Sequence, residues 1–243
     1  MDGARDGGNG AMRAEIQQQA GRVSGADVAG DQLGEHADDL IGDLRAVRRP
    51  RLFIISGPSG VGKDTVIEML RDKYPEAYFA VTVTTRARRP GEIDGVHYYF
   101  MDEETFIARL NDGEFLESAN VYGYHYAVPR GPIRAALARG QDVVVKVDVQ
   151  GAATIRNAVE NTVSIFLAPE SMAALLQRLR ARKTDDPDVL MYRFGTASRE
   201  LSSADDFEYV LFNESDRVDH TVDQICAIVT AEHNRTHQRE VHV

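Results

Sequence analysis

Short apolar runs alternate with helical patterns along the chain from residue 51 onward. Four runs predict buried strands, at residues 51–56 (RLFIIS), 143–147 (VVVKV), 163–167 (VSIFL) and 210–212. Helical spacing of apolar residues follows, for example at 63–73, 171–182 and 215–234. Strands that alternate with helices predict an α/β fold, in which a parallel sheet carries helices on both faces.

Two regions interrupt this alternation. Residues 82–128 contain three β-like runs (HYYFM, EFLES and HYAVP) around one helix, which predicts a small inserted α+β domain. Residues 182–193 (RKTDDPDVLMYR) are polar and contain a proline, which predicts a short mobile lid between two helices. The core domain then comprises residues 49–81 and 129–235, and residues 236–243 form a C-terminal tail.

Residues 1–48 differ from the rest of the chain. Their opening is rich in Gly, Ala, Gln and Asp and has almost no large apolar side chains. Such a segment cannot bury enough apolar surface to offset its ordering entropy, so we expect a disordered N-terminal extension. Apolar spacing at residues 36–47 predicts one short helix within it, which could dock on the domain.

The composition of the chain argues against several classes of function. The 243 residues carry a net charge of −10, which argues against nucleic acid as a partner but leaves room for a small anion. Cys226 is the single cysteine, so the chain contains no disulfide. No apolar run has the length of a membrane helix or the character of a signal peptide. We therefore expect a cytoplasmic protein without a membrane partner, and no pattern indicates its oligomeric state.

A phosphate-binding loop follows the first predicted strand. Residues 57–63 read GPSGVGK, and a predicted helix begins directly after them. Glycines allow several backbone N–H groups to point at one anion, and the helix adds its positive N-terminus. Lys63 would reach the β- and γ-phosphates of a bound nucleoside triphosphate. The predicted ATP-binding residues are Gly57, Pro58, Ser59, Gly60, Val61, Gly62, Lys63, Asp64 and Thr65.

Asp64 is unusual, because many such loops have Ser or Thr there as a Mg²⁺ ligand. Asp64 could contact the Mg²⁺ of MgATP directly or through water, or it could pair with a nearby lysine. In the remaining alternative Asp64 points away from the nucleotide and Thr65 supplies the hydroxyl.

A second cluster suits a phosphate dianion. Arg86 and Arg89 lie three residues apart, and Tyr98 is nearby in sequence. Two guanidinium groups and a phenol hydroxyl would hold the dianion through charge-assisted hydrogen bonds.

Over residues 51–235 the sequence resembles the guanylate kinase family. The resemblance rests on motifs in the family's order: GPSGVGK (57–63), TTRARRPGEIDGVHYYF (84–100), EFLESANVYGYHY (114–126), VDVQGA (147–152) and RLRAR (178–182) before the lid. It implies a P-loop NTPase core, with the insertion binding a nucleoside monophosphate. It also implies transfer of the γ-phosphate of ATP to GMP and dGMP.

The resemblance implies a role for each matching residue. The acceptor phosphate is assigned to Arg86, Arg89, Tyr98 and Tyr126, and further acceptor contacts to Thr82, Glu117 and Asp148. Guanine presents N1–H and the N2 amine side by side, and a carboxylate accepts from both. The transferred phosphoryl group is assigned to Lys63, Arg182 and Arg193, and the adenine pocket to Asn213.

The chain departs from the family pattern at three places. Ala127 and Val128 stand where the family usually has Gly and a hydroxyl residue that donates to guanine. Lys146 stands where the family tends to have an acid near the metal. Because Asp64 replaces a hydroxyl while Lys146 replaces an acid, we hypothesise that these two side chains form an ion pair beside the phosphate loop.

Two other functions fit part of the pattern. One is a kinase of the same fold with another acceptor, such as a ribose bisphosphate, which Val128 favours slightly. The other is a non-catalytic module that binds phosphopeptides in the acceptor pocket. Glu117 and Asp148 argue against the first, and the intact phosphate loop argues against the second.

Overall fold

The computed structural model describes residues 37–42, 49–121, 123–181, 187–236 and 240–243, with backbone alone at 181, 187–190 and 193. Two compact units divide the chain, residues 1–48 and residues 49–243. Residues 37–42 of the first unit are helical. The disorder predicted for the remainder of that unit falls on residues 1–36 and 43–48, which lie outside the described residues.

The second unit consists of short strands and helices of two to four turns. The strands are β1 (Leu52–Ser56), β2 (Tyr78–Phe79), β3 (Thr82–Thr84), β4 (Tyr98–Phe100), β5 (Phe115–Val121), β6 (Tyr124–Pro129), β7 (Val143–Lys146), β8 (Val163–Pro169) and β9 (Tyr209–Asn213). The helices are α1 (Lys63–Lys73), α2 (Glu103–Asn111), α3 (Arg130–Ala138), α4 (Val149–Ala158), α5 (Met172–Ala181), α6 (Pro187–Leu201) and α7 (Val218–His233). A 3₁₀ turn spans Ala204–Asp206.

The larger sheet confirms the predicted α/β fold. Its five strands follow the order β2-β7-β1-β8-β9, and every pairing is parallel. Alternate residues of the central strand β1 belong to two different apolar cores. Phe53 and Ile55 lie in one core, and Leu52 and Ile54 lie in the other. A strand that is buried on both faces requires helices on both faces.

Each core is closed by its own helices. Helices α1 and α7 pack against Phe53 and Ile55. Helix α1 contributes residues such as Leu70, and α7 contributes residues such as Ile225. The opposite core is closed by α3 and α4, with Ile133 and Ile155 as fully buried contacts. The apolar spacing of these helices therefore follows from burial on the sheet.

The insertion forms a second, mixed sheet in the order β4-β3-β6-β5. Strands β3 and β4 are parallel, whereas β6 is antiparallel to β3 and β5. Its small core contains Val83, Phe106, Phe115 and Ala127, and the two phenyl rings lie 5.0 Å apart. The insertion therefore has an apolar core of its own, separate from the two cores of the larger sheet.

The structure corrects the prediction for the lid. Residues 187–193 belong to helix α6, which begins at Pro187, rather than to a segment between two helices. Proline suits the first helical turn, where its missing N–H has no partner to lose, so Pro187 begins a helix here. The remainder of the predicted lid, including Arg182, lies outside the described residues.

The end of the chain contacts the domain. Val241 and Val243 pack against the core that α3 and α4 close, and Asn161 donates to the carbonyl of Glu240 at 3.1 Å. The sequence predicted only a tail there. In the described ranges no helix combines the length and hydrophobicity needed to cross a bilayer.

A buried carboxylate fastens the sheet to two helices at the edge away from the phosphate loop. Asp142 Oδ1 accepts from the backbone N–H of Arg51 at 2.7 Å, which joins the approaches to β7 and β1. Its Oδ2 accepts from the Tyr74 hydroxyl at the end of α1, and lies 2.5 Å from His233 Nε2 at the end of α7. One side chain thus serves three elements.

Replacing Asp142 with Ala should lower the free energy of unfolding by about 2–4 kcal/mol, because buried donors lose their acceptor. Urea denaturation measures the change. The matched control is Asp223→Ala, which breaks the Lys73–Asp223 pair (2.5 Å), whose side chains are 41% and 61% exposed. Exposed pairs contribute about 0–1 kcal/mol, so equal losses in the two variants would contradict this account.

Candidate active site

The candidate site lies at the carboxyl edge of the larger sheet. Because its strands are parallel, the segments that follow β1, β7 and β9 all emerge at that edge. The phosphate loop follows β1, Lys146 ends β7 with Asp148 two residues later, and Asn213 ends β9. The sheet therefore collects residues from distant parts of the sequence.

Tight packing explains two glycines of the loop. Gly57 has φ 140°, and a Cβ there would lie 2.2 Å from the carbonyl oxygen of Leu167. Gly62 has φ 101° and directly precedes α1, and a Cβ there would lie 2.6 Å from Asn213 Nδ2. The loop can follow this path only without side chains at these positions.

Lys63 lies across its own loop. Its Nζ donates to the carbonyls of Gly57 at 2.5 Å and Pro58 at 3.2 Å. Burial lowers the pKa of Lys63 below its usual value, although the carboxylates of Glu200 and Asp64 favour its charged form. A triphosphate at this loop would offer the ammonium group stronger, charged acceptors.

A carboxylate from α6 contacts the same loop. Glu200 Oε2 accepts from the backbone N–H of Ser59 at 3.2 Å. Burial raises the pKa of Glu200, while the Ser59 amide and Lys63 stabilise its charge. The sequence analysis missed this residue, since nothing in a helical pattern indicates a contact 141 positions away.

Asn213 and Arg178 hold the end of the loop. Asn213 Nδ2 and Arg178 Nη1 both donate to the Val61 carbonyl, at 2.8 and 2.9 Å. Arg178 Nη2 also donates to the Asn213 carbonyl at 2.8 Å. Asn213 is 2% exposed, and among the described residues its Oδ1 has no hydrogen-bond partner.

The arginine cluster predicted for the acceptor phosphate is centred on Arg86. Its Nε donates to the Tyr126 hydroxyl at 3.3 Å, and its two terminal nitrogens donate to Glu92 at 3.1 and 2.7 Å. The Tyr98 ring lies 5.5 Å from the guanidinium carbon and 6.1 Å from the Tyr126 ring. Arg86, Tyr98 and Tyr126 are thus brought together.

The other two residues of this region lie around that cluster. Arg89 is exposed, and its backbone N–H donates to Glu92 at 2.7 Å. Thr82 begins β3 and pairs with Tyr98 of β4. Glu92 is a residue that the sequence analysis missed, although it lies inside the motif that carries the resemblance. Burial alone would raise the pKa of Glu92, but the hydrogen bonds from Arg86 and Arg89 hold it below its usual value.

Glu117 and Asp148 both lie close to Gly151 at the start of α4. Asp148 caps α4, and its Oδ1 accepts from the Gly151 N–H at 2.8 Å. A Cβ on Gly151 would lie 3.1 Å from both Glu117 Cδ and Oε2, so glycine permits this approach. Glu117 is 6% exposed, and within the described part of the chain its Oε2 has no hydrogen-bond partner.

Burial makes Glu117 a weaker acid than an exposed glutamate. Desolvation, with a further contribution from the negative charge of Asp148, raises the pKa of Glu117 from 4.5 to about 8. Val128 lies opposite Glu117 in the β5–β6 ladder, so the two side chains share a face of the sheet. Val128 is fully buried in the core, and Ala127 is buried in the core of the insertion. The apolar residue at 128 therefore adds to the desolvation of Glu117.

The hypothesised ion pair is present. Lys146 Nζ lies 2.5 Å from Asp64 Oδ1, and the two side chains are 24% and 60% exposed. Burial opposes the charge on Lys146, but the Asp64 carboxylate and the Tyr98 hydroxyl outweigh it and raise the pKa of Lys146. Since Asp64 is mostly exposed, the pair contributes only about 1 kcal/mol or less to stability.

The side chains here suit Mg²⁺ that is bound together with a nucleotide. Within the described ranges, no group of three or more His, Cys, Asp or Glu side chains could hold a metal ion alone. Mg²⁺ is commonly held by one or two protein oxygens together with phosphate oxygens and water. Asp64 and Thr65 are both exposed in the first turn of α1, beside the loop, and fit that arrangement.

Two predicted lid arginines remain, Arg182 and Arg193. Arg182 lies outside the described residues, and Arg193 lies in α6 with its backbone alone described.

The family model described as guanylate kinase matches residues 49–232. Two similar proteins illustrate the relatives. "Guanylate kinase 2, chloroplastic/mitochondrial" of Oryza sativa subsp. japonica is 41% identical over 227 residues, which cover 90% of this chain and 79% of the relative. The guanylate kinase of Sphingopyxis alaskensis is 43% identical over 186 residues, which cover 76% of this chain and 84% of the relative.

A solved structure agrees with the sequence relatives. The crystal structure of guanylate kinase from Anaplasma phagocytophilum superposes with a TM-score of 0.63 at 32% identity. The superposition covers 78% of this chain and 89% of that one.

The Glu117 carboxyl should titrate with a midpoint of about 8 in the free protein, because burial disfavours its charged form. Carbon-13 NMR of labelled glutamate measures the midpoint, with Glu117→Gln to assign the signal. Glu92 is the internal control and should titrate below 4.5. Asp148→Asn should lower the Glu117 midpoint but leave it above 4.5. A wild-type Glu117 midpoint near 4.5 would contradict the account.

Proposed function

This chain belongs to the guanylate kinase family, and we propose that it transfers the γ-phosphate of ATP to GMP, and also to dGMP, giving ADP and the diphosphate. The observation that carries the proposal is Glu117, whose buried Oε2 accepts no hydrogen bond from the described residues. A buried acceptor without a donor is costly unless a ligand supplies one. Guanine supplies two adjacent donors, at N1 and at the N2 amine.

The phosphate loop supports ATP as the donor. Its backbone N–H groups and the start of α1 would surround the phosphates, and Lys63 would exchange its two loop carbonyls for phosphate oxygens. Adenine carries a 6-amino group that can donate to Asn213 Oδ1. Mg²⁺, held by Asp64 and Thr65 together with the nucleotide and water, would neutralise charge on the β- and γ-phosphates.

The cluster around Arg86 supports a phosphate on the acceptor. Both terminal nitrogens of Arg86 donate to Glu92, so Glu92 fixes the orientation of the guanidinium plane. The Tyr98 and Tyr126 hydroxyls and the exposed Arg89 would complete the phosphate site, and Thr82 would contact the same nucleotide. Guanine would then lie between Glu117 and Asp148.

Transfer needs positioning more than acid–base chemistry. An oxygen of the acceptor phosphate is already ionised, so no general base is required to attack the γ-phosphorus in line. Lys63, Arg182 and Arg193 would neutralise the charge that develops on the transferred group. Closure over both nucleotides would exclude water and limit hydrolysis of ATP.

The two alternatives explain fewer observations. A ribose bisphosphate carries no base for Glu117 and Asp148 to recognise. A phosphopeptide module has no use for a phosphate loop whose end is held by Asn213 and Arg178. We also propose that the protein works in the cytoplasm, which the single cysteine, Cys226, supports because reducing compartments disfavour disulfides.

Coupled ADP release tests the proposal. The protein is mixed with MgATP and, separately, with GMP, dGMP, AMP, CMP, UMP and ribose 1,5-bisphosphate. We expect turnover with GMP and dGMP, and kcat/KM at least about 10³-fold lower with AMP, since adenine offers an acceptor at N1 and would leave Glu117 unpaired. Turnover with ribose bisphosphate, or equal turnover with several bases, would contradict guanine recognition. ATP binding without any turnover would contradict the activity.

Gly151→Ala should raise the KM for GMP by about tenfold and leave the KM for ATP unchanged, because its Cβ would displace the Glu117 carboxylate. Steady-state kinetics with each substrate varied in turn measures both constants. Gly131→Ala in α3 is the matched control, since a Cβ there meets nothing within 4 Å. An equal KM for GMP in the two variants would show that the close approach of Gly151 to Glu117 is irrelevant to the acceptor.

A further inference from the structure

Lys146 occupies a position between the two halves of the candidate site. It ends β7, and its Cα pairs with that of Ile55, two residues before the phosphate loop begins. At the carboxyl edge of the larger sheet its side chain contacts Asp64 in α1 and Tyr98 in the insertion. It therefore touches elements of both the ATP side and the acceptor side.

On the ATP side, Lys146 Nζ is 2.5 Å from Asp64 Oδ1, and Asp64 follows Lys63 directly. The Asp64 side chain is 60% exposed. An ammonium group held by an exposed carboxylate can exchange that partner for a phosphate oxygen, since little desolvation has to be reversed.

On the acceptor side, Lys146 Nζ lies 5.5 Å from the centre of the Tyr98 ring. The same ring is 5.5 Å from the Arg86 guanidinium carbon and 6.1 Å from the Tyr126 ring. Lys146 thus borders the cluster that we assign to the acceptor phosphate.

We propose that the Lys146 ammonium contacts the phosphoryl group in transit, between the γ-phosphate of the donor and the phosphate of the acceptor. Asp64 is the positioning residue that holds it there before the nucleotides bind. This proposal rests on the proposed function, in which a new bond forms between an acceptor oxygen and the γ-phosphorus. The bond from the γ-phosphorus to the β–γ bridging oxygen breaks, and its electron pair leaves with ADP.

Lys146 stays protonated throughout this step. Its ammonium group is paired with the Asp64 carboxylate at 2.5 Å, and the transfer needs no proton from it, so Lys146 serves as a fixed cation. An ammonium group offers three donors, and charge-assisted hydrogen bonds to phosphate are among the strong ones. Together with Lys63 it would place two ammonium groups on the phosphate chain.

The competing explanation is that Lys146 only neutralises Asp64. The two explanations differ for the double variant Lys146→Met with Asp64→Asn, which removes both charges. If Lys146 is only a counterion, the double variant restores wild-type behaviour. If Lys146 contacts the phosphoryl group, the double variant stays as impaired as Lys146→Met.

The probe is the bisubstrate analogue in which adenosine and guanosine are joined by five phosphates, because it fills the gap between the two sites. Isothermal titration calorimetry in EDTA measures its Kd without a metal ion, and ATP and GMP are titrated separately. The matched controls are Lys73→Met and Lys73→Met with Asp223→Asn, which remove an ion pair of the same 2.5 Å length from the same helix, α1.

We expect Lys146→Met to weaken binding of the bisubstrate analogue by about 10- to 100-fold, as loss of one charge-assisted contact does. The double variant should match it within about threefold, and Lys146→Arg should regain most of the loss. Affinities for ATP and GMP alone should fall less than the affinity for the analogue. Wild-type affinity in the double variant, or in Lys146→Met itself, would overturn the proposal.

If Lys146→Met fails to fold because Asp64 is left unpaired, the charge-matched double variant carries the same comparison with wild type. If the wild-type protein does not phosphorylate GMP, the proposed function fails, while loss of binding of the analogue still reports on Lys146. With GMP turnover present, kcat should fall in Lys146→Met by more than the KM values rise.

Discussion

The geometry of the whole site depends on the turn that leaves strand β1. Gly57 passes so close to β8 that a Cβ would lie 2.2 Å from the Leu167 carbonyl oxygen. This packing directs the loop over the carboxyl edge of the parallel sheet, where β7 and β9 also end. Lys63, which follows the loop after β1, and Lys146 and Asn213, which end β7 and β9, come to the same edge of the sheet although they are distant in sequence.

On the acceptor side the decisive quantity is desolvation. Glu117 is buried beside Asp148, and the protein leaves one of its oxygens without a partner among the described residues. Burial raises the pKa of Glu117 to about 8, so the free site holds a carboxyl group that is easily protonated near neutral pH. A ligand with two adjacent donors favours the ionised form and supplies the missing hydrogen bonds. In the proposed function, selectivity for guanine would follow from the cost of leaving this group unpaired.

Much of the fold could be predicted from the sequence because its signals are local. The run RLFIIS, the glycines of the loop and the apolar spacing of α1 are each signals from residues close together in sequence. The structure confirms the α/β fold that they predict. The Asp64–Lys146 pair could also be predicted, since two departures from a family pattern compensated in charge. The two-residue strand β2 was missed because it is too short to show a period.

The missed contacts are long-range or depend on context. Glu200 reaches Ser59 across 141 positions and Arg178 reaches Val61 across 117, and a surface helix pattern gives no indication of either. Pro187 was assigned to a lid between two helices because the segment around it is polar, whereas it occupies the first position of α6 and begins that helix. The role of Val128 also needed the structure, because only the β5–β6 register places it beside Glu117.

A crystal structure of the protein with the adenosine–guanosine pentaphosphate analogue would test the central claim most directly. The account predicts that guanine N1 and N2 lie within hydrogen-bond distance of Glu117 and that the adenine amine faces Asn213. The linking phosphates should run past Lys63 and Lys146. Guanine bound away from Glu117, with that carboxyl group still unpaired, would contradict the account.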